Sequence, residues 1–127
     1  PYTDMEELFK RMVFNVVARN QDDHTKNISF LMDESGTWRL SPAYDITYAY
    51  HPGSPWMKAH QMSVNGKHDN IKRSDLLTAA KKMNVKKPKE MIEKIIDIIA
   101  DWNKYAKKAE VNVNQVKAIR KSLLLKL

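Results

Sequence analysis

No cysteine occurs in the 127 residues, which excludes a disulfide framework and any thiolate metal site and fits a reducing, cytoplasmic setting. Glycine is almost as scarce: the chain has three, none close to another, so it has no glycine-rich loop that could wrap nucleotide phosphates. No apolar run approaches the ~18 residues of a membrane span, which argues against a membrane partner. No charged-then-apolar signal segment opens the chain. The first residue is Pro1 and the first methionine is Met5, as expected of a piece of a longer protein. The hydrophobic content of 43% is that of a globular chain, and the length predicts a single domain over residues 1–127.

Acidic charge is scarce in one part of the chain only. Residues 1–80 hold 9 Lys/Arg against 10 Asp/Glu, whereas residues 81–127 hold 13 against 5. The whole net charge of +7 therefore arises in the C-terminal third. Such a block suits contact with nucleic acid or an acidic partner, or is simply the solvated face of lysine-rich helices.

Apolar periodicity organises the rest. Met5, Leu8, Phe9, Met12, Val13, Val16 and Val17 recur at intervals of three and four, predicting an amphipathic helix to about residue 19. Thr3-Asp4-Met5-Glu6 has the pattern of a capping box at its start. A polar run follows to Asn27. Ile28–Met32 and Trp38–Leu40, separated by Asp33-Glu34-Ser35-Gly36, predict a small hairpin. Pro42, Pro52, Gly53 and Pro55 predict an irregular loop over residues 41–60, and Val64-Asn65-Gly66 predicts a tight turn. Ser74 is the expected cap of a helix over 75–83. Residues 88–108 predict one long helix with Ile92, Ile95, Ile96, Ile99, Trp102 and Ala106 on its apolar face. Asn114 is the expected cap of a last helix carrying Val116, Ile119, Leu123 and Leu127.

The chemistry is concentrated in Asn20-Gln21-Asp22-Asp23-His24-Thr25-Lys26-Asn27 and in Tyr44-Asp45-Ile46. Phosphoryl transfer asks little covalent work of a protein. It needs a carboxylate to orient and deprotonate the attacking hydroxyl, and oxygen ligands to hold a metal ion on the phosphates. A base Asp, an Asn five residues later and a further Asp downstream meet that need. Asp22, Asn27 and Asp45 have this order and spacing, and the hard oxygens of Asn27 and Asp45 suit Mg²⁺. Context gives the spacing its weight: the match lies after an amphipathic helix and before a hairpin, and Asp45 follows the hairpin directly. Asp22-Asp23 alone would otherwise read as a solvated turn. His51, His60 and His68 lack the close pairing of zinc ligands and read as surface histidines. Tyr44, Tyr48, Tyr50 and Trp56 can face a substrate, pack the loop onto the helices, or do both.

These two motifs, Asn20-x-Asp22-Asp23-His24-x-Lys26-Asn27 and Leu40-Ser41-Pro42-Ala43-Tyr44-Asp45-Ile46, resemble those of HipA-like serine/threonine kinase toxins of bacterial type II toxin–antitoxin systems. The resemblance runs from about Met12 to Ile71 and includes Val64-Asn65-Gly66-Lys67. The Asp-x-His-x-x-Asn core is also similar to the loop of phosphatidylinositol kinases. The resemblance implies a mainly α, helical C-terminal lobe of a protein-kinase-like fold, with a small β-hairpin beside the catalytic loop. It implies Asp22 as catalytic base, His24 and Lys26 as loop-organising or phosphate-facing residues, and Asn27 and Asp45 as Mg²⁺ ligands with ATP as co-substrate. Asp23 stands where some relatives carry Gly. The implied partners are a protein substrate, an aminoacyl-tRNA synthetase in the better-known members, and a small DNA-binding antitoxin of the HipB type. Nucleic-acid contact through residues 81–127 is a further expectation. No nucleotide-binding lobe precedes the loop in this sequence, so the isolated chain is expected to be inactive. The alternatives are a pseudokinase and a non-catalytic helical module that binds nucleic acid or a partner protein through its basic helices.

Overall fold

The computed structural model describes residues 1–127. The chain forms five helices and one small hairpin: α1 Tyr2–Val17, β1 Phe30–Met32, β2 Trp38–Leu40, α2 Arg73–Lys82, α3 Pro88–Ala100, α4 Trp102–Lys108 and α5 Val113–Ser122. A single 3₁₀ turn covers Thr25–Asn27. No helix is long and apolar enough to cross a membrane.

The core forms where the apolar stripes of α1 and α3 meet. Phe9, Val13, Val16 and Val17 from α1 pack with Ile92, Ile96 and Ile99 from α3. Leu76 and Ala80 of α2, with Val64 and Ile71 from the preceding loop, close the cluster. The spacing of three and four thus places its middle and end residues in the core, whereas Met5 stays 37% exposed.

Several helix ends differ from expectation because a cap is decided by backbone geometry. Helix α1 already starts at Tyr2, so the Thr3–Glu6 box does not form; Glu6 instead pairs with Lys10, one turn on, at 2.9 Å. Helix α2 starts at Arg73, not after Ser74. The Asp75 carboxylate, at its third position, accepts the Lys72 N–H at 2.8 Å. Asn112, not Asn114, caps α5, its Oδ1 accepting the Asn114 N–H at 2.8 Å. Residues 88–108 form two helices that break at Asp101. Arg120 of α5 donates to the Ala100 carbonyl at that break, and the Trp102 indole N–H donates back to Val116 at 3.1 Å.

Asp75 is buried and also ties the turn before α2 in place. Asn65 Nδ2 donates to Oδ1 at 2.9 Å and Lys67 Nζ to Oδ2 at 2.9 Å. Asn65 and Gly66, with φ of 51° and 76°, form the expected two-residue turn, closed by paired Val64–Lys67 backbone bonds. The Asn65 bond, then the Lys72 amide and Lys67, hold the Asp75 carboxyl down at about 2 against an ordinary 3.8. A lowered folded-state value gives stability that is complete above about pH 4 and lost as pH falls through 2. Acid titration of unfolding is therefore expected to show the gap between wild type and Asp75→Asn narrowing steadily from pH 5 to pH 2. A gap that does not depend on pH would contradict this.

Candidate active site

The end of α1 positions the site. Arg19 follows the helix with φ 59°, and the Asn20 N–H reaches back to the Asn15 carbonyl at 3.0 Å, a helix-ending turn usually made by glycine. Arg19 is held in that role by its side chain. Nε donates to the Ser122 carbonyl at 2.8 Å, and the guanidinium lies 4.3 Å from the Tyr50 ring centroid. Asn20 then bridges to Ala49 in parallel fashion, with the Gln21 N–H on the Ala49 carbonyl at 3.0 Å and the Ala49 N–H on the Arg19 carbonyl at 3.1 Å. Buried Gln21 adds a bond from Nε2 to the Met57 carbonyl at 3.1 Å.

From Gln21 to His24 the chain is neither helix nor turn, so the solvated turn that is the alternative reading of Asp22-Asp23 is not formed. Neighbours point opposite ways, as side chains of an extended segment do. Asp23 turns inward and is 8% exposed, Asp22 turns outward, and His24 is half-buried beside the cavity that Asp23 also lines. The 3₁₀ turn next brings Asn27 back, and its Nδ2 donates to the Asp22 carbonyl at 3.0 Å. That bond closes the loop and leaves the Asn27 carboxamide oxygen free to act as a ligand.

The hairpin returns the chain to this spot. Its register pairs Phe30 with Leu40, Leu31 with Arg39 and Met32 with Trp38. The turn is braced by Asp33, whose Oδ1 accepts from the Ser35 hydroxyl at 2.6 Å and the Thr37 amide at 3.0 Å. Arg11 of α1 anchors the exit strand by donating to the Ser41 carbonyl at 2.7 Å. The Tyr44 hydroxyl donates to the Lys26 carbonyl at 2.8 Å, fixing the Asp45 segment against the loop. Asp45 itself has φ 55°, a left-handed conformation that costs roughly 1–2 kcal/mol for a residue with a Cβ. The strain falls on the residue that faces Asp22, a common location for strained backbone in functional sites.

Asp22, His24 and Asp45 each bring a ligand atom within 4.8 Å of the other two. His24 Nε2 lies 4.0 Å from Asp22 Oδ1, and His24 Nδ1 is buried without a partner in the chain. Asn27, His24 and Asp45 line a cavity of about 230 Å³, together with Arg11, Asn15 and Asn20 from α1 and its end. Two carboxylates this close repel each other, and a divalent cation would relieve the repulsion. The donor set is mainly hard oxygen, with Asn27 Oδ1 in reach of the same cavity, and this fits Mg²⁺. The sequence-predicted residues Asp22, His24, Asn27 and Asp45 are thus brought together. Asp22 and Lys26 both stand outside the cavity lining, which includes Asp23 instead; the Lys26 backbone carbonyl holds Tyr44 and its side chain is exposed.

One expectation is corrected here. His60 is not a surface histidine: it is 6% exposed, and its ring bonds to Asp23 at 2.8 Å. His51 and His68 are exposed, as expected. The aromatic loop is tied down in part, while Tyr44 and Tyr48 stay partly exposed and Tyr44 also lines the cavity. Tyr50 stacks on Arg19, the Tyr48 hydroxyl meets the Ser122 hydroxyl at 2.8 Å and Tyr44 holds Lys26, while Trp56 is 75% exposed. Arg11 and Asn15 were missed as cavity residues, since on a helix they read as an ordinary polar face, whereas Asn20 belongs to the motif itself.

The family model described as HipA-like C-terminal domain matches residues 1–121. A Sinorhizobium fredii protein named Putative kinase Y4mE is 42% identical over 59 residues, which cover 45% of this chain and 14% of that protein. The match thus spans a small part of the relative's length. No solved structure matches. By the extent of the family match, this chain belongs to the HipA-like C-terminal domain family.

Proposed function

We propose that the chain is the catalytic lobe of a serine/threonine protein kinase of the HipA type, working within a longer protein that supplies a nucleotide-binding lobe. The observation that carries this reading is the convergence of Asp22, His24 and Asp45 within 4.8 Å, beside an Asn27 locked to the Asp22 backbone. A substrate Ser or Thr hydroxyl gives its proton to Asp22 as its oxygen bonds to the γ-phosphorus, and the bond to the ADP oxygen breaks. Asn27 and Asp45 would hold Mg²⁺, which when bound would neutralise phosphate charge. His24, which lines the cavity and has a buried ring nitrogen without a partner in the chain, would order the phosphates or the base. In this reading residues 1–127 form one lobe. The hairpin residues Phe30, Leu31, Met32 and Trp38, 52–60% exposed, are the surface that the nucleotide-binding lobe covers. The resemblance further proposes a protein substrate such as an aminoacyl-tRNA synthetase and a DNA-binding antitoxin as partners.

Incubating the full-length protein with Mg²⁺-ATP and a cell lysate, then searching by mass spectrometry for new phosphoserine and phosphothreonine, tests this reading. The expected result is Mg²⁺-dependent modification of the protein itself or of a lysate protein. No modification under any divalent ion would sink it.

A second reading, nucleic-acid binding through the basic helices, is favoured by the exposed Lys104, Lys107, Lys108, Lys117 and Lys121 on α4 and α5. Its signature is binding that weakens steeply with salt and disappears on substitution of Lys107, Lys108 and Lys117. Arg120 is left out of that set because its guanidinium is spent on the Ala100 carbonyl.

A further inference from the structure

The proposed mechanism leaves one buried pair of ionisable residues unused. Asp23 and His60 lie 37 residues apart in sequence, are 8% and 6% exposed, and meet with His60 Nδ1 at 2.8 Å from Asp23 Oδ2. A carboxylate only accepts, so Nδ1 carries the hydrogen. The other oxygen, Oδ1, takes the Gln61 amide at 2.8 Å and the Met62 amide at a longer 3.4 Å. The Gln61 amide is also 3.2 Å from the Gln21 carbonyl. One side chain of the catalytic loop is thus grasped by three consecutive residues of a distant segment.

That segment is itself fixed. The His60 amide donates to the His68 carbonyl at 2.8 Å, and His68 Nδ1 returns a bond to the His60 carbonyl at 3.0 Å. Inside this closed loop sits the Val64–Lys67 turn, bound to Asp75 of α2. Met62, Ser63 and Val64 line the same cavity as His24, Asn27 and Asp45.

The geometry points to His60 as a positioning residue for the catalytic loop. Asp23 lies next to Asp22 in an extended stretch, so holding Asp23 inward is what aims Asp22 outward. Through His60, the direction of the Asp22 carboxylate is tied to the scaffold of α2. The proposal rests on the kinase reading for its catalytic consequence and on the hydrogen bond alone for its structural one.

The test uses two polar substitutions in the full-length protein. In His60→Asn the side-chain amide nitrogen stands where Nδ1 stands and can still donate to Asp23. In His60→Gln the donor is displaced outward, toward the Nε2 position. For His60→Gln, kcat is expected to fall about 10- to 100-fold, as expected for misplacement by about an ångström. The KM for ATP and the melting temperature should move little. His60→Asn should stay close to wild type. A second readout needs no activity: amide hydrogen exchange over residues 21–27 is expected to quicken in His60→Gln and not in His60→Asn. Equal kcat in all three proteins, or equal loss in both variants, would overturn the inference. So would unchanged exchange in His60→Gln. If wild type transfers no phosphate, the kinase reading fails, and the exchange experiment still decides whether His60 positions the loop.

Discussion

Asp22→Asn is expected to lower phosphate transfer by the full-length protein about 10²- to 10⁴-fold, the usual contribution of a positioned general base. The substitution keeps the shape and polarity of a side chain that is about half exposed. Its contacts in the chain are few: the bond that closes the loop uses the Asp22 backbone carbonyl, not its carboxylate. Folding should therefore be untouched, and the loss should fall on kcat with little change in the KM for ATP. Steady-state kinetics with a melting curve of each protein check this. A matching fall in melting temperature would instead make Asp22 a structural residue, and retained activity would remove it from the base role.

Phe9→Ala is expected to destabilise the protein by about 3–5 kcal/mol, the cost of losing a buried aromatic side chain and leaving a cavity. Phe9 is fully buried at the centre of the α1–α3 interface. Because Arg19 and Asn20 at the end of α1 set the start of the Gln21–Asn27 loop, movement of α1 should also reach the candidate site. Met5→Ala is the control: it belongs to the same apolar series but is 37% exposed, so its effect should lie within about 0.5 kcal/mol. Denaturant unfolding of both variants measures the difference. Equal effects would mean that α1 is not seated on α3 as described.

The contrast between Phe9 and Met5 shows what periodicity can and cannot reveal. The series identifies the helix and its buried face, because neighbours three and four apart share a side. It does not say how far along the helix the partner extends. The Asp22, Asn27 and Asp45 arrangement was legible for a related reason. Two of its members are local, and the hairpin that returns the third is short and marked by Asp33 and Gly36. The Asp23–His60 pair was not legible, since nothing local joins residues so far apart, and a histidine in an irregular loop reads as exposed. The break at Asp101 was also hidden: no proline or glycine marks it, and the group that takes up the freed Ala100 carbonyl is Arg120 on another helix. Arg19 in a left-handed conformation was hidden too, because the tethers that make it affordable, Ser122 and Tyr50, come from distant parts of the chain.

The central claim, that the Asp22–Asp45 cluster is a phosphotransfer centre, is tested most directly by the initial rate of γ-phosphate transfer from labelled ATP by the full-length protein. Wild type is compared with Asp22→Asn and Asp45→Asn at equal Mg²⁺. Label on a protein hydroxyl with wild type, and loss of at least about 100-fold in both variants, is the predicted result. Transfer at the wild-type rate in either variant, or an inert wild type, would contradict the claim and turn attention to the lysines of α4 and α5.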